Sequence, residues 1–246
     1  FYRIPSNRIW IRDYGPIYLV NKKKRKKVFL NFGFNGWAKY KNFEKDNSVN
    51  NIISKISKIE KIEPKIKIGK TSKKLILEGG AFDVNGKGSI LLTEECLLSK
   101  VQQRNNGVNK NMYEKMLKDY LNVTNYIWLK RGIKGDDTHG HIDDIARFIS
   151  KNKIFAAFEK NKKDKNHKIL CENIKVLEKF SKKNKIKIIQ VPMPKPKFIQ
   201  NIRLPASYLN FYIANKIVLL PTFNDPNDNS VIKLFNPSVV VGKHFI

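Results

Sequence analysis

The side chains of this 246-residue chain that could do chemistry lie in short segments rich in acids and amides, although Lys and Arg number 49 against 21 Asp and Glu. Trp10-Ile11-Arg12-Asp13-Tyr14-Gly15-Pro16 carries Asp13, and Glu78-Gly79-Gly80-Ala81-Phe82-Asp83 carries Glu78. The stretch from Gly135 to Asp144 carries Asp136, Asp137, His139, His141, Asp143 and Asp144, and Ala206-Ser207-Tyr208-Leu209-Asn210 carries Asn210. Acids gathered inside a basic protein suit a small cation. A guanidinium is flat, and its fork of N–H donors can be gripped by two carboxylates from different sides; Asp13 and Asp143 are the candidates for that grip. His141 stands two residues before Asp143, so on extended backbone both side chains face the same way. A histidine beside a carboxylate can act as general acid and base.

Each feature also has a plainer reading. Asp-Tyr-Gly-Pro is a common turn sequence, and the glycines after Glu78 can mark a bulge. Asn210 can serve backbone groups, and Trp10 and Trp37 can be core residues as readily as substrate platforms. His139 could join His141 on a metal, but a metal needs three or more ligands, so metal binding is not the expected reading. The functional reading rests on the combination.

These segments need a frame, and the hydrophobic pattern supplies one. A unit of strand, turn, strand, helix and strand recurs four times. The first runs through strands at 16–20 and 28–32, a helix near 48–61 and a strand at 65–68. The second opens at 74–84, turns at Asn85-Gly86, returns through 89–93, and continues with a helix near 111–121 and a strand at 126–129. The third pairs 145–149 with 154–158, then has a helix near 167–182 and a strand at 187–191. The fourth pairs 208–213 with 217–220, then has a short helix near 229–235 and a strand at 238–241. Each acid cluster or amide falls at the start of a repeat. If the repeats form a ring, Asp13, Glu78, His141, Asp143 and Asn210 face one central cavity. A ring must close to avoid exposed strand edges; with about four units present, a closing unit is expected beyond this sequence.

The formal net charge of +28 raises a nucleic-acid reading, but the basic residues are spread along the chain. The densest run, Lys22 to Lys27, falls where a hairpin turn is expected. A diffuse basic surface is not a groove reader, so nucleic acid is not the expected partner. No apolar run reaches the roughly 20 residues of a membrane helix, and no membrane is expected. Cys96 and Cys171 form no CxxC pattern and fit small core residues in a reducing, cytoplasmic setting.

Trp10 to Pro16, Phe34-Asn35-Gly36-Trp37, Leu77 to Gly80, Thr93-Glu94-Glu95-Cys96-Leu97-Leu98, Asp136 to Asp144 and Ala206 to Asn215 together resemble the agmatine deiminases. That family belongs with the bacterial-type peptidylarginine deiminases in the pentein superfamily. The resemblance runs in order over nearly the whole chain. It implies a single α/β catalytic domain over residues 1–246, incomplete at both ends: a five-bladed α/β propeller of ββαβ units with the closing unit truncated. It implies hydrolysis of agmatine to N-carbamoylputrescine and ammonia through a cysteine-linked amidino intermediate, with peptidylarginine as the alternative substrate, and so a role in polyamine biosynthesis through putrescine. By the same resemblance His141 is the general acid/base, Asp13 and Asp143 bind the guanidinium, and Glu78, Asp137, Asn210 and Trp10 belong to the substrate pocket. Asp137 would meet the far ammonium of agmatine. The family's nucleophile lies in a Gly-Gly-x-x-His-Cys segment, and the sequence stops at Lys243-His244-Phe245-Ile246 without it. The 246 residues alone are therefore expected to be inactive. The resemblance implies no metal and no organic cofactor; the partner is a small guanidine, and a homodimer is left open.

Overall fold

The computed structural model describes residues 1–215, 217–235 and 239–243. A single helical turn, α1 (Ile11–Tyr14), precedes an antiparallel hairpin of β1 (Ile17–Asn21) and β2 (Lys26–Leu30), with Asn21 opposite Lys26. The basic run is thus the hairpin turn the pattern predicts, and residues 22–27 are exposed. Helix α2 (Glu44–Ser57) follows and β3 (Glu60–Ile62) returns parallel to β2. The returning strand was expected at 65–68. Instead α2 begins four residues early and stops at Lys58, whose φ of 54° breaks the helix, so the chain re-enters the sheet at Glu60. Pro64, which lacks an N–H, follows the short strand. Residues 65–68 then form β4 (Lys65–Ile68) in a separate hairpin with β5 (Thr71–Lys74).

The later repeats follow the same order. β6 (Asp83–Val84), β7 (Ser89–Thr93), the short α3 (Glu94–Leu98), α4 (Lys110–Leu121) and β8 (Asn125–Leu129) make the second. β9 (Ala146–Ser150), β10 (Lys153–Phe158), α5 (Lys165–Asn184) and β11 (Lys187–Pro192) make the third. A small hairpin of β12 (Phe198–Ile199) and β13 (Ile202–Arg203), not anticipated from the pattern, separates it from the fourth. That repeat holds β14 (Tyr212–Ala214), β15 (Ile217–Thr222), α6 (Asp228–Leu234) and β16 (Val239–Lys243). Of the residues expected in its last strand, Ser238 lies outside those described, as does His244. Each of the four three-stranded sheets has its first two strands antiparallel and its last strand parallel to the middle one. The chain is an α/β protein.

Local chemistry sets the ends of the elements. Asn109 Oδ1 accepts from Met112 N at 3.0 Å to open α4, and Asp164 caps α5 by accepting from Asn166 N at 2.7 Å; such caps satisfy amides that the first turn leaves open. Left-handed residues close α2, α4 and α5 at Lys58, Asn122 and Lys185. The Asn85-Gly86 turn forms as expected: Asn85 Oδ1 accepts from Lys87 N and Ser89 N, and Gly86 takes a φ of 65°.

The chain divides into two compact units, Phe1–Ala81 with Leu97–Thr124, and Phe82–Cys96 with Asn125–Ile246. The second has a core of Leu91, Ile127, Leu129, Ile154, Phe155, Leu170, Leu177 and Tyr208, among others. In the first, Tyr14, Phe34, Trp37 and Val49 cluster under the segment that carries Asp13. Among the described residues no helix is long and apolar enough to cross a membrane.

Candidate functional site

In the first unit, α1 buries Asp13 and Tyr14 while Trp10, just ahead of it, is 59% exposed. Trp10 is therefore not a core residue, unlike Trp37. Neutral donors hold both oxygens of the Asp13 carboxylate. Trp37 Nε1 donates to Oδ2 at 3.0 Å, and the Gly80 amide donates to Oδ1 at 3.1 Å. Two bonded oxygens fix the plane of the carboxylate. The indole reaches Asp13 because Gly36, Trp37 and Ala38 all take left-handed backbone, with φ of 62°, 58° and 54°. Left-handed backbone is costly for residues with a Cβ and persists where the surroundings over-determine it. Here Phe34 and Tyr40 pack edge-on against the indole at 5.2 and 5.9 Å.

The Glu-Gly-Gly segment was expected within the strand that opens the second repeat at 74–84, a bulge being the plainer reading of its glycines. It forms a tight turn at Gly79–Ala81 instead. A Cβ on Gly79 would stand 2.1 Å from the Arg12 carbonyl oxygen, so glycine is there to let α1 approach. Glu78 is fully buried, and Arg104 Nε donates to its Oε1 at 3.0 Å from an equally buried guanidinium. A buried acid of this kind is stable only with such a partner. Arg104 is tied back through Nη1 to the Gln102 carbonyl at 2.9 Å, and Gln102 Nε2 donates to the Trp37 carbonyl at 3.2 Å. Glu78 and Asp13 are thus braced by one small framework.

In the second unit, His141 and Asp143 are both buried, and His141 Nδ1 lies 4.0 Å from Asp143 Oδ1. The two side chains do come together, but not on extended backbone. His141 caps a tight turn, Ile142–Asp144, and the turn brings residues two apart to one side. Asp136 organises the backbone before it. Its Oδ2 accepts from Gly140 N at 2.8 Å and from His141 N at 3.0 Å, and its Oδ1 accepts from the amide and hydroxyl of Thr138. On the other side of that turn Thr93 Oγ1 donates to the Gly140 carbonyl, and Glu95 Oε2 accepts from Gly132 N at 2.7 Å.

Asp144 is the next acid along and is also buried. Burial foremost, then the neighbouring Asp143 and Asp136 carboxylates, push its carboxyl well above the ordinary range. Asn210, expected to line the pocket, is exposed and donates through Nδ2 to Asp144 Oδ1 at 3.0 Å. Ser207 Oγ donates to the Asp144 carbonyl at 2.8 Å. The segment around 208–211, expected as strand, is therefore a loop anchored to Asp144, and the strand starts only at Tyr212. Asp137 is exposed, in contrast to its neighbour Asp136.

Cys96 is fully buried, as expected of a small core residue, whereas Cys171 is only half-buried, with Sγ 3.7 Å from His167 Nε2. Sequence reasoning singled out Asp13, Glu78, His141, Asp143 and Asn210 as candidates, but it did not anticipate Trp37, Arg104 and Asp144 as the partners of Asp13, Glu78 and Asn210. Burial of a charged residue, which no local pattern announces, is what marks Arg104.

This chain matches the family model for the Porphyromonas-type peptidyl-arginine deiminase over residues 1–240. It is 34% identical to the protein named "Putative agmatine deiminase" of Latilactobacillus sakei, over 96% of this chain and 70% of that one. A protein of the same name from Legionella pneumophila is 33% identical over 89% of this chain and 61% of its own length. The chain thus spans between three-fifths and about seven-tenths of these curated relatives. Among solved structures, the substrate-bound agmatine deiminase of C. jejuni superposes with a TM-score of 0.85 at 32% identity, covering 99% of this chain and 69% of that one. The agmatine deiminase of Enterococcus faecalis gives 0.83 at 27% identity, covering 98% and 71%. With a family model matching nearly its whole length, the chain belongs to the Porphyromonas-type peptidyl-arginine deiminase family, enzymes that act on guanidino groups.

Proposed function

We propose that the protein hydrolyses the guanidinium of agmatine, releasing ammonia and leaving N-carbamoylputrescine. The observation that carries this reading is the buried His141–Asp143 pair, 4.0 Å apart, in a chain whose formal net charge is +28. Acids concentrated against such a background serve a cationic substrate. Asp143 and the firmly oriented Asp13 are assigned to the guanidinium N–H groups. The names of the relatives supply the substrate class.

The chemistry follows in two steps. A cysteine thiolate attacks the guanidinium carbon; the C–N bond breaks, and the departing ammonia takes a proton from His141. His141 then removes a proton from water, which attacks the amidino thioether, forms the urea product and releases the thiolate. The reading places the thiolate in a Gly-Gly-x-x-His-Cys segment, which these 246 residues do not contain. The five-bladed propeller and the part in putrescine formation belong to the same reading, supported by the four like repeats and by the relatives' names.

Exposed Asp137 favours agmatine over peptidylarginine, because an additional acid suits a substrate with a second cation. The test is ammonia release by the protein with its complete reading frame, using agmatine, a peptidyl arginine and free arginine. Turnover of agmatine, and its loss by a factor of about 10²–10⁴ in His141→Ala, is the expected result for a general acid/base. Faster turnover of the peptide would replace agmatine with the alternative. No release from any of the three would end the reading.

A further inference from the structure

Two aspartates stand side by side before His141, and they have different surroundings. Asp137 is exposed. Asp136 is turned toward the protein, where each oxygen of its carboxylate takes two donors: Thr138 N at 2.8 Å and the Thr138 hydroxyl on Oδ1, Gly140 N at 2.8 Å and His141 N at 3.0 Å on Oδ2. A carboxylate engaged by four donors is committed to its own loop and has little left for a ligand.

The loop that it gathers has an unusual shape. His139 and Gly140 take φ of 66° and 94°, so the chain reverses just before His141. Gly132 lies so close that a Cβ on it would fall 2.4 Å from Gly140 Cα. Thr93 Oγ1 holds the carbonyl of Gly140 while Asp136 holds its amide. The amide of His141 itself is the last group that Asp136 fixes, and the residues after it turn directly into Ile142–Asp144.

From these contacts we propose that Asp136 is a positioning residue: its carboxylate sets the backbone from which the His141 imidazole is presented. This rests on the reading of His141 as general acid/base. Proton transfer tolerates little misplacement, and an error of about 1 Å in a reacting group can cost about 10²-fold in rate.

Asp136→Asn tests it. The amide keeps the size, but its NH₂ must face N–H donors. In the complete protein, kcat for agmatine should fall by about 10²-fold, with KM within about threefold, because the residues assigned to the guanidinium are untouched. The ring ¹³C and ¹H resonances of His141 should move in the same variant, a readout that loss of stability alone does not give. Thr138→Val, which removes only the hydroxyl bond, should leave the imidazole signals in place and kcat within about threefold. If Asp136→Asn does not fold, Thr93→Val, which frees the Gly140 carbonyl, carries the test: a fall in kcat of about tenfold at constant KM supports the assignment. Wild-type kcat and unmoved His141 resonances in the altered protein overturn it. Should His141→Ala stay active while Asp136→Asn moves the imidazole, the positioning stands and the catalytic reading falls. An inactive His141→Ala beside a fully active Asp136→Asn gives the reverse.

Discussion

Trp37 Nε1 donates to Asp13 Oδ2 at 3.0 Å, from a residue whose own backbone sits in the left-handed region. The bond spans 24 residues and is buried. It is the contact by which an aromatic cluster fixes the plane of the acid assigned to the guanidinium. Trp37→Phe keeps an aromatic ring against Phe34 and removes the donor. Hydrogen bonds to charged groups contribute about 1.5–3 kcal/mol, so kcat/KM for agmatine should drop by about ten- to a hundredfold, mostly through KM. Steady-state kinetics at a series of agmatine concentrations reads the split. If KM stays at the wild-type value, the indole does not orient the Asp13 carboxylate for the substrate.

The Arg104–Glu78 pair makes a prediction about stability. Both side chains are fully buried and meet at 3.0 Å. Removing one partner of such a pair leaves an uncompensated charge, at a cost of about 3–5 kcal/mol. Arg104→Met should lower the unfolding free energy by that amount in urea titrations. The double variant Arg104→Met with Glu78→Gln should recover a good part of it, because the stranded charge is gone. A single variant within about 1 kcal/mol of wild type would mean that Glu78 is neutral in the folded protein and that the ion pair is not what holds it.

Gly79 faces the Arg12 carbonyl at a distance that leaves no room for a side chain. A Cβ there falls 2.1 Å from the oxygen and 3.2 Å from its carbon, both backbone atoms that cannot swing away. Gly79→Ala must therefore push α1 off the turn, and Asp13 with it. Overpacking at a rigid contact typically costs about 1–3 kcal/mol and on occasion more, and the upper end is expected here. Unfolding midpoints measure the cost, and a loss below about 1 kcal/mol would show that the two backbones separate easily. Gly86→Ala, at a position with nothing within 4 Å of the added carbon but a φ of 65°, is the control for a purely conformational penalty.

How far the sequence carried these conclusions differs between fold and site. The repeats were legible because each strand is short, apolar and bounded by turn residues; 89–93 falls on β7 as expected and 187–191 within β11. The failures have local causes. Lys65–Ile68 alternates like a strand and is one, but it pairs with β5 and not with β2; pairing is a tertiary choice that alternation does not encode. Residues 208–211 look like strand because Tyr208, Leu209 and Phe211 are apolar, yet they are buried as a loop held by Asp144. The candidate acids stood out against a Lys-rich background, whereas their partners did not. Arg104 follows Glu78 by 26 residues and Trp37 follows Asp13 by 24, and nothing in the intervening chain marks either pairing.

Asp144 supplies the last prediction, on pH. Its carboxyl is raised well above the ordinary value of 3.8, by burial first and by the Asp143 and Asp136 charges next. A folded-state value above the unfolded one means that the native state binds more protons between the two. Stability then falls as pH rises through that window and levels off above the folded value. This is opposite to an acid held in a salt bridge, whose contribution is lost as pH falls. Asp144→Asn removes the titration and keeps an oxygen to accept from Asn210 Nδ2, which is 3.0 Å from Oδ1 in the wild type. The variant should have the higher Tm at pH 8, and its Tm should decline less between pH 5 and pH 8 than that of the wild type. Thermal melts across that range decide the matter. A variant that is less stable at pH 8, or that keeps the wild-type slope, would show that Asp144 ionises freely in the folded protein.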